Sequence, residues 1–377
     1  MKLLEYQGKM LFETGGIPVP QGRVVTTVKE AVEAAKAIGG EVALKVQVPV
    51  GGRGKAGGIK LASGDQVARD AEKLLSMKIK DYQVEKLLVE EKVEAEQELY
   101  LGLVVDTDSG NIIILFSPEG GVDIEEVASH SPEKVFRQEI NPLSIPPRYR
   151  LRYFIRQSGF KGKMLEKLTT ITWQLLQLAL KKDLLTAEIN PLMIMADGRV
   201  LAGDSKVEVD DNALSRQDFE KNFWDDQDIL EQEARDIGVT YVKLNGEVGV
   251  IASGAGLAMT TMDLLEEAGY NPSNFLETGG GITEDLLYKS FKLVCKNEQV
   301  QGVIINLYGG VNPIEKGAKG VIKALQEMDK PPVVVAKALG NKQEECWETF
   351  RSGGVTVVTD VETETAVKAM IEKLNNQ

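Results

Sequence analysis

Apolar positions recur along this chain in two rhythms. In "VKEAVEAAKAIGG" and, over a longer run, in "KMLEKLTTITWQLLQLALKKD" they return every third or fourth residue, which predicts amphipathic helices. Paired glycines close the first. The opening "MKLLEYQGKMLFETGGIPVP" predicts a short helix of the same kind, stopped by Gly15-Gly16 and a proline pair. "EVALKVQV", "LLVEEKVEAEQELYLGLVVD" and "NIIILFSPEGG" are dense in β-branched and aliphatic residues and predict strands. "LLTAEINPLMIMADGRVLAGDSKVEV" continues as strands about a turn at "ADGR".

The spacing of these elements is uneven up to about residue 240. From about 245 it becomes regular. The strands "EVGVIA", "FLET", "VQGVIINLY", "PPVVVAKAL" and "VTVVT" alternate with helical stretches such as "LAMTTMDLLEEAGY" and "ETAVKAMIEKL". That alternation predicts an α/β, doubly wound, mostly parallel sheet over 241–377, preceded by a mixed α+β region over 1–240. The acidic "SRQDFEKNFWDDQDILEQEARD" between them reads as a solvated connector helix. No short-period repeat or low-complexity tract is present.

Charge narrows the function classes. The net charge of −13 comes without a basic run, which argues against broad affinity for nucleic acid or anionic membranes. No apolar stretch approaches the roughly 18 residues that span a bilayer, and the start lacks the features of a signal peptide. A cytoplasmic protein is expected. Cys295 and Cys346 match no metal spacing and read as reduced thiols. The single histidine, His130 in "VASHSPEKV", reads as a solvated loop or helix-cap residue rather than a catalytic base or phosphoryl acceptor.

The densest chemistry lies in "KVQVPVGGRGKAGG". It fails as a Walker A loop, because Ala56 follows Gly54-Lys55 and Pro49 takes the place of the first glycine. Gly52, Gly54 and Gly57 satisfy a bare G-x-G-x-x-G pattern, yet "GIKLAS" after them alternates like a strand, not a helix. The shape is strand, glycine loop, strand. Such a hairpin can bring backbone N–H groups against a polyphosphate, with Arg53, Lys55 and Lys45 supplying charge. A mobile hairpin with a solvated basic tip fits the same residues.

A second signal is "TAEINPLMI" followed by "VLAGDSKVEVDDNAL". Asn190 and Asp204 fall on what read as neighbouring antiparallel strands. Oxygen ligands so placed suit Mg²⁺, which keeps waters and takes one or two protein groups beside nucleotide phosphates. Glu188, two residues before Asn190, shares its face. Ordinary polar decoration of a hairpin is the alternative.

Together with "EYQGKMLF", "GIPVP", "GGRGKAGG", "ELYLG", "EGGVDIE", "EINPL", "GDSKVEVDDNALSRQ", "GAGLAMTTMD" and "GGGITED", these residues resemble the β subunit family of succinyl-CoA synthetase, the ADP- or GDP-forming succinate–CoA ligase. The resemblance runs from end to end. It implies an ATP-grasp nucleotide-binding region, with a hairpin lobe at about 21–98, followed by a flavodoxin-like ligase domain, and a place in the tricarboxylic acid cycle. It implies that Lys45, Gly52, Arg53 and Gly54 meet the phosphates of ATP or GTP. Glu90, Val93 and Glu98 would receive the base and ribose, although the family often has a small polar residue where Val93 stands. Asn190 and Asp204 match the Mg²⁺ ligands, and Glu33 and Glu188 match carboxylates that meet a phosphorylated histidine.

That histidine belongs, in the family, to an α subunit which also binds CoA. His130 lies outside any matching motif, so the resemblance implies a partner chain and an αβ or α₂β₂ assembly. The turn "VGVIASGAGLAMTTMD" would offer backbone N–H groups and the positive end of a helix dipole to a phosphohistidine or acyl phosphate. Closely packed doubly wound turns use glycines in the same way.

Departures gather where the family holds the organic acid. Ser253 stands for an asparagine, and the family's loop resembling "FGGIVRCD" or "FGGITNCE" reads "YGGVNPIEKG", with Gly310, Val311, Asn312 and Pro313 in the corresponding places. "AKALGN" lacks the family's arginine, leaving Lys337 or backbone groups to do its work. Either succinate is kept or another small acid such as malate or citrate is activated. Two further readings stand beside these. One is a nucleotide-binding regulatory chain without ligase activity. The other is an ATP-grasp ligase that uses an amine and needs no histidine partner.

Overall fold

The computed structural model describes residues 1–50, 52–80, 82–217, 229–310 and 312–376. The chain forms two compact units, Met1–Asp226 and Gln227–Gln377. The first contains α1 (Glu5–Thr14), β1 (Gly22–Val25), α2 (Val28–Ile38), β2 (Val42–Gln47), β3 (Ile59–Ala62), α3 (Gln66–Leu75), β4 (Lys78–Ile79), β5 (Tyr82–Gln83) and β6 (Lys86–Glu91). It continues with β7 (Ala95–Val105), β8 (Ile112–Ser117), α4 (Ile124–His130), β9 (Phe136–Ile140), α5 (Arg148–Gln157), α6 (Gly162–Lys182), β10 (Leu184–Met195), β11 (Val200–Ala202) and β12 (Lys206–Val209).

One sheet has the antiparallel order β1-β6-β2-β3. Alternation along β2 turns Val42, Leu44 and Val46 into a core with Ala31 and Ala34 of α2 and Val67, Ala71 and Leu74 of α3. Lys45 and Gln47 therefore face the other side. On β6 the same rule sends Leu87 and Val89 to the helices and Glu90 to the side of Lys45. The helix packed there, α2, begins at a reciprocal cap: Thr27 accepts from the Glu30 N–H and Glu30 accepts from the Thr27 N–H.

The second sheet runs β11-β10-β7-β8-β9, with β12 also on β10. Leu99, Leu101, Ile114, Phe116 and Ile189 pack against Leu165, Leu168, Ile171 and Leu175 of the long helix α6. The long strand β10 receives β11 along residues 192–194 and β12 along 184–188, with an irregularity between Ile189 and Leu192. Asp204 lies in the link between β11 and β12, not on a strand beside Asn190 as expected. The chain steps there from one end of β10 to the other, and the Gly203 N–H donates to the carbonyl of Pro191.

The second unit contains α7 (Ile229–Ile237), β13 (Thr240–Lys243), β14 (Val248–Ala252), α8 (Ala255–Glu267), β15 (Asn274–Glu277), α9 (Glu284–Val294) and β16 (Gly302–Gly309). After these come α10 (Glu315–Gln326), β17 (Val333–Gly340), α11 (Gln343–Ser352), β18 (Thr356–Val358) and α12 (Thr363–Leu374). Its sheet order is β13-β15-β14-β16-β17-β18, parallel except for the edge strand β13. Both faces are covered, which is why these strands read as continuous apolar runs. Ile251, Ile305 and Leu307 meet α9 to α11, while Val250, Ile304 and Val335 meet α8 and α12.

The acidic connector differs from expectation. Residues 211–216 form a 3₁₀ turn, and 218–228 lie outside the described residues. The helix α7 is not a solvated spacer: its Ala234 is buried in the core of the second unit, so that unit begins ahead of residue 241. His130 ends α4 exposed, as expected.

Candidate functional site

The alternation of β2 and β6 delivers Lys45 and Glu90 to one face of their sheet, and α1 closes over it. Glu5 and Lys9, one helical turn apart on α1, are both buried. Lys9 Nζ lies 3.0 Å from Glu5 and 2.5 Å from Glu90. Lys45 Nζ lies 2.9 Å from Glu5 and 2.8 Å from the other oxygen of Glu90. Both lysines also donate to the Gly203 carbonyl, at 2.8 and 2.9 Å. Arg53 completes the cluster, with Nη2 3.1 and 3.3 Å from the two Asp204 oxygens and Nη1 3.0 Å from Glu5 Oε2.

Arg53 and Lys45 are thus not a solvated tip. Their side chains are only 12% and 13% exposed, whereas Lys55 is exposed. The hairpin folds inward because Gly58 lets the chain turn back: its N–H donates to the Arg53 carbonyl and its carbonyl accepts from the Val46 N–H. A Cβ there would fall 2.5 Å from the Val46 side chain. Gly52 and Gly54 stay exposed beside Arg53.

Electrostatics bind this cluster tightly. Burial pushes the Glu5 carboxyl up, but Lys9, Lys45 and Arg53 outweigh it and hold the group well below the carboxylate range. Burial would lower the Lys45 ammonium, yet Glu5, Glu90 and Asp204 raise it. Asp204 moves up, through burial and the Glu5 carboxylate, with Arg53 and Lys45 opposing. The sequence reading missed Glu5, Lys9 and the Gly203 carbonyl. The available signal was an opposite-charge pair four residues apart on a helix face otherwise apolar at Leu4, Leu11 and Phe12.

The residues expected to touch a base and ribose scatter. Glu90 is 2% exposed, its two oxygens taken by Lys9 and Lys45, so it is a buried partner of these two lysines. Val93 packs against Met193, Met195 and Leu201. Glu98 is exposed, close against Gly121. Glu33 is exposed on α2, whose core lies on the opposite side of the sheet from Lys45, and the structure does not bring it into the cluster.

Asn190 is held by the glycine loop after β8. Its Oδ1 accepts from the Gly121 N–H at 2.8 Å and its Nδ2 donates to the Val122 carbonyl at 2.9 Å. Gly120 must be glycine, since a Cβ would fall 2.2 Å from the Leu99 carbonyl oxygen. Glu188 is half-buried on β10, 3.6 Å from Lys206. Burial pushes its carboxyl up, and Lys206 only partly opposes this.

The donor set fits Mg²⁺. Asn190 Oδ1 and the Asp204 carboxylate are hard oxygens, each with capacity beyond its present partners, and Asp204 keeps 35% of its side-chain surface exposed. Among the described residues no group of three acidic, histidine or cysteine side chains forms a fuller metal site.

In the second unit the candidate residues lie at the carboxyl ends of the parallel strands. The strand order reverses at β14, the usual place for a ligand in such sheets. Ser253 does not project freely. Its N–H donates to Asn306, and its hydroxyl receives the Tyr308 N–H at 2.7 Å, tying the ends of β14 and β16. Gly310 is exposed, and Asn312 Nδ2 donates to the Gly280 carbonyl at 3.0 Å. Val311 lies outside the described residues. Lys337 is 4% exposed and donates to Asn306 Oδ1 at 3.4 Å, while Asn306 donates to Thr261 and Thr363. Burial lowers the Lys337 ammonium, with Asp360 opposing.

Comparison with known proteins agrees with this division. Residues 2–194 match the ATP-grasp domain family and residues 251–371 the CoA-ligase family. The chain is 41% identical to the GDP-forming succinate–CoA ligase subunit beta of Thermus thermophilus, over 98% of this chain and 99% of that one. It is 39% identical to the ADP-forming subunit beta of Halorubrum lacusprofundi, over 96% of each. Its fold is similar to an ATP citrate lyase structure from Methanothrix soehngenii, with a TM-score of 0.70 at 18% identity over 98% and 99% of the two chains. Among the described residues no helix is long and apolar enough to cross a membrane.

Proposed function

Because the chain belongs to the succinate–CoA ligase beta-subunit family, we propose that it is the nucleotide-handling half of an acid–CoA ligase that forms ADP or GDP. The observation that carries this reading is the convergence of Arg53 on Asp204 and of Lys45 on the carbonyl of the adjacent Gly203, residues spread along the sequence. Lys45 and Arg53 present two oriented cations to a nucleotide's terminal phosphates. Asn190 and Asp204 would hold Mg²⁺, which when bound neutralises charge on those phosphates.

An α subunit supplies the histidine that takes the γ-phosphoryl group. Its imidazole nitrogen forms the new P–N bond as the bond to the nucleoside diphosphate breaks. Glu188 stabilises the positive charge that grows on that ring, and its half-buried setting strengthens the effect. The phosphoryl group then passes to the carboxylate of the acid. The CoA thiolate attacks the resulting acyl phosphate, releasing phosphate and leaving the thioester. Catalysis rests on positioning and charge more than on covalent chemistry by this chain.

Succinate is the first reading for the acid. A different small dicarboxylate is the second, favoured by the locked hydroxyl of Ser253 and the amide of Asn312, which is already bonded to Gly280. In both, Lys337 serves the acid's negative charge from beneath the β14–β16 ends. Thioester formation tests these readings. This chain and its α subunit are mixed with Mg²⁺, CoA, ATP or GTP, and succinate, malate or citrate separately. Thioester from one acid supports the ligase and names its substrate. A formed complex that makes no thioester from any acid, yet binds nucleotide, would turn the reading towards a regulatory chain. Adenylate or guanylate preference is read from the same assay.

A further inference from the structure

Among the described residues of the first unit, Glu5 is the carboxylate with the most cations around it. Its side chain is 1% exposed, and three cations surround it: Lys9 at 3.0 Å, Lys45 at 2.9 Å and Arg53 at 3.0 Å. Two of these are the cations read above as phosphate ligands. Glu5 Oε1 takes both lysines. Oε2 has Arg53 beside it but no donor aligned for a hydrogen bond. It is held in turn by its helix: the carbonyl of Glu5 accepts from the Ser205 hydroxyl at 2.7 Å, next to Asp204. Gly8 keeps that approach open, since a Cβ there would meet Ser205 Oγ at 2.4 Å.

Long, flexible cations hold a polyphosphate well only when their own orientation is already fixed. Glu90 pairs with Lys45 and Asp204 with Arg53, but among the described residues only Glu5 touches both. We propose that Glu5 is a positioning residue for nucleotide binding, setting Lys45 and Arg53 at a common spacing for adjacent phosphates. This rests on the reading that these two residues meet the nucleotide.

Charge and positioning make opposite demands here, and that decides the test. Lys9, Lys45 and Arg53 face Glu5, Glu90 and Asp204. Glu5→Gln leaves three cations against two carboxylates. On charge alone the variant attracts a phosphate anion more strongly. If Glu5 positions the cations, the variant binds it more weakly. Titration calorimetry with Mg·ADP and Mg·GDP on the complex with its α subunit reads the sign. The expected result is a Kd raised about tenfold or more in Glu5→Gln, the loss of one charged hydrogen bond. CoA affinity and melting temperature serve as readouts of general damage, and CoA affinity is expected to stay within about twofold, well inside one tenfold step.

Should Glu5→Gln fail to fold, Glu5→Asp keeps the charge and shortens the reach, and the same rise in nucleotide Kd is expected. An unchanged or lower Kd in either folded variant overturns the proposal. So does an equal loss of nucleotide and CoA affinity, which marks a merely structural residue. If the unaltered complex binds neither nucleotide, the nucleotide reading itself fails and this assignment falls with it. Binding by the unaltered complex with unaltered Kd in the variants removes the Glu5 assignment alone.

Discussion

Arg53 Nη2 lies 3.1 and 3.3 Å from the two carboxylate oxygens of Asp204, although the residues stand 151 positions apart. The pair ties the glycine hairpin to the link between β11 and β12. It also joins a proposed phosphate ligand to a proposed metal ligand. In the Asp204→Ala variant the hairpin loses one of its anchors and the proposed Mg²⁺ site the one carboxylate of its two ligands. Turnover is expected to fall about 10²–10³-fold, the scale of losing one preorganised charge contact. A steady-state assay across Mg²⁺ concentrations checks this. An unaltered rate with ordinary Mg²⁺ dependence would contradict the assignment.

Glu188 should show a trade between stability and chemistry. Burial raises its folded pKa above the unfolded value. The ionised group therefore costs stability at higher pH, and that cost vanishes as pH falls below the unfolded value of about 4.3. Glu188→Gln is expected to melt higher at pH 8, with no such gain near pH 4. Phosphorylation of the α-subunit histidine should slow by about 10²-fold. Thermal melts at two pH values and a radiolabelled phosphate assay check the two halves. Lower stability at pH 8 would sink the electrostatic account.

The Glu5 cluster is expected to set the acid and alkaline limits of the first unit. The Glu5 pKa is depressed on folding, so its contribution is complete above about pH 4.3 and is withdrawn as pH falls towards the folded value. Lys45 is raised on folding, so its contribution is complete below about pH 10.4 and is withdrawn above it. Scanning calorimetry should find a plateau between these limits. Between pH 5 and pH 3 the drop should be steeper in the unaltered protein than in Glu5→Gln. Parallel curves would show that other carboxylates govern acid unfolding.

Lys337 offers the test of acid recognition. Methionine can fill its buried space without the cost of a desolvated charge. Lys337→Met is expected to melt no lower than the unaltered protein at pH 7. Its KM for the carboxylic acid should rise about tenfold or more, with the nucleotide KM unchanged. If instead the acid KM stays put and the melting temperature falls, Lys337 serves Asn306 and the α12 loop alone.

Much of this fold is legible in the sequence because its signals are local. The alternation in "EVALKVQV" places Lys45 opposite Leu44, and the hairpin follows from an alternating strand on each side of the glycines. The apolar runs of β14, β16 and β17 announce a sheet covered on both faces. What stayed hidden depends on distant partners. Glu5 and Lys9 look like a surface pair on an amphipathic helix until residues 45, 53, 90 and 203 surround them. Asp204 looks like a strand residue because its neighbours on both sides are strands, while the switch of partners along β10 leaves it in between. The sequence sets Ser253 in an asparagine's place, but its bond to Tyr308 depends on the pairing of β14 with β16. The edge strand β13 is short and antiparallel, with one buried residue among its four, and carries no periodic signal of its own.

The engagement of α1 has a consequence for the order in which the chain acquires its structure. Synthesis runs from the amino end, so α1 is made some two hundred residues ahead of its partner Ser205. Yet Leu3 pairs its N–H with Val207, and the carbonyl of Glu5 waits for Ser205. This helix is therefore fastened only after some two hundred further residues have been added. Such long-range closure is slow compared with forming a hairpin. Until it happens, Lys45 has Glu90 but not the Gly203 carbonyl and Arg53 lacks Asp204, and a growing chain stopped short of β12 holds the parts of the proposed nucleotide site without their full arrangement.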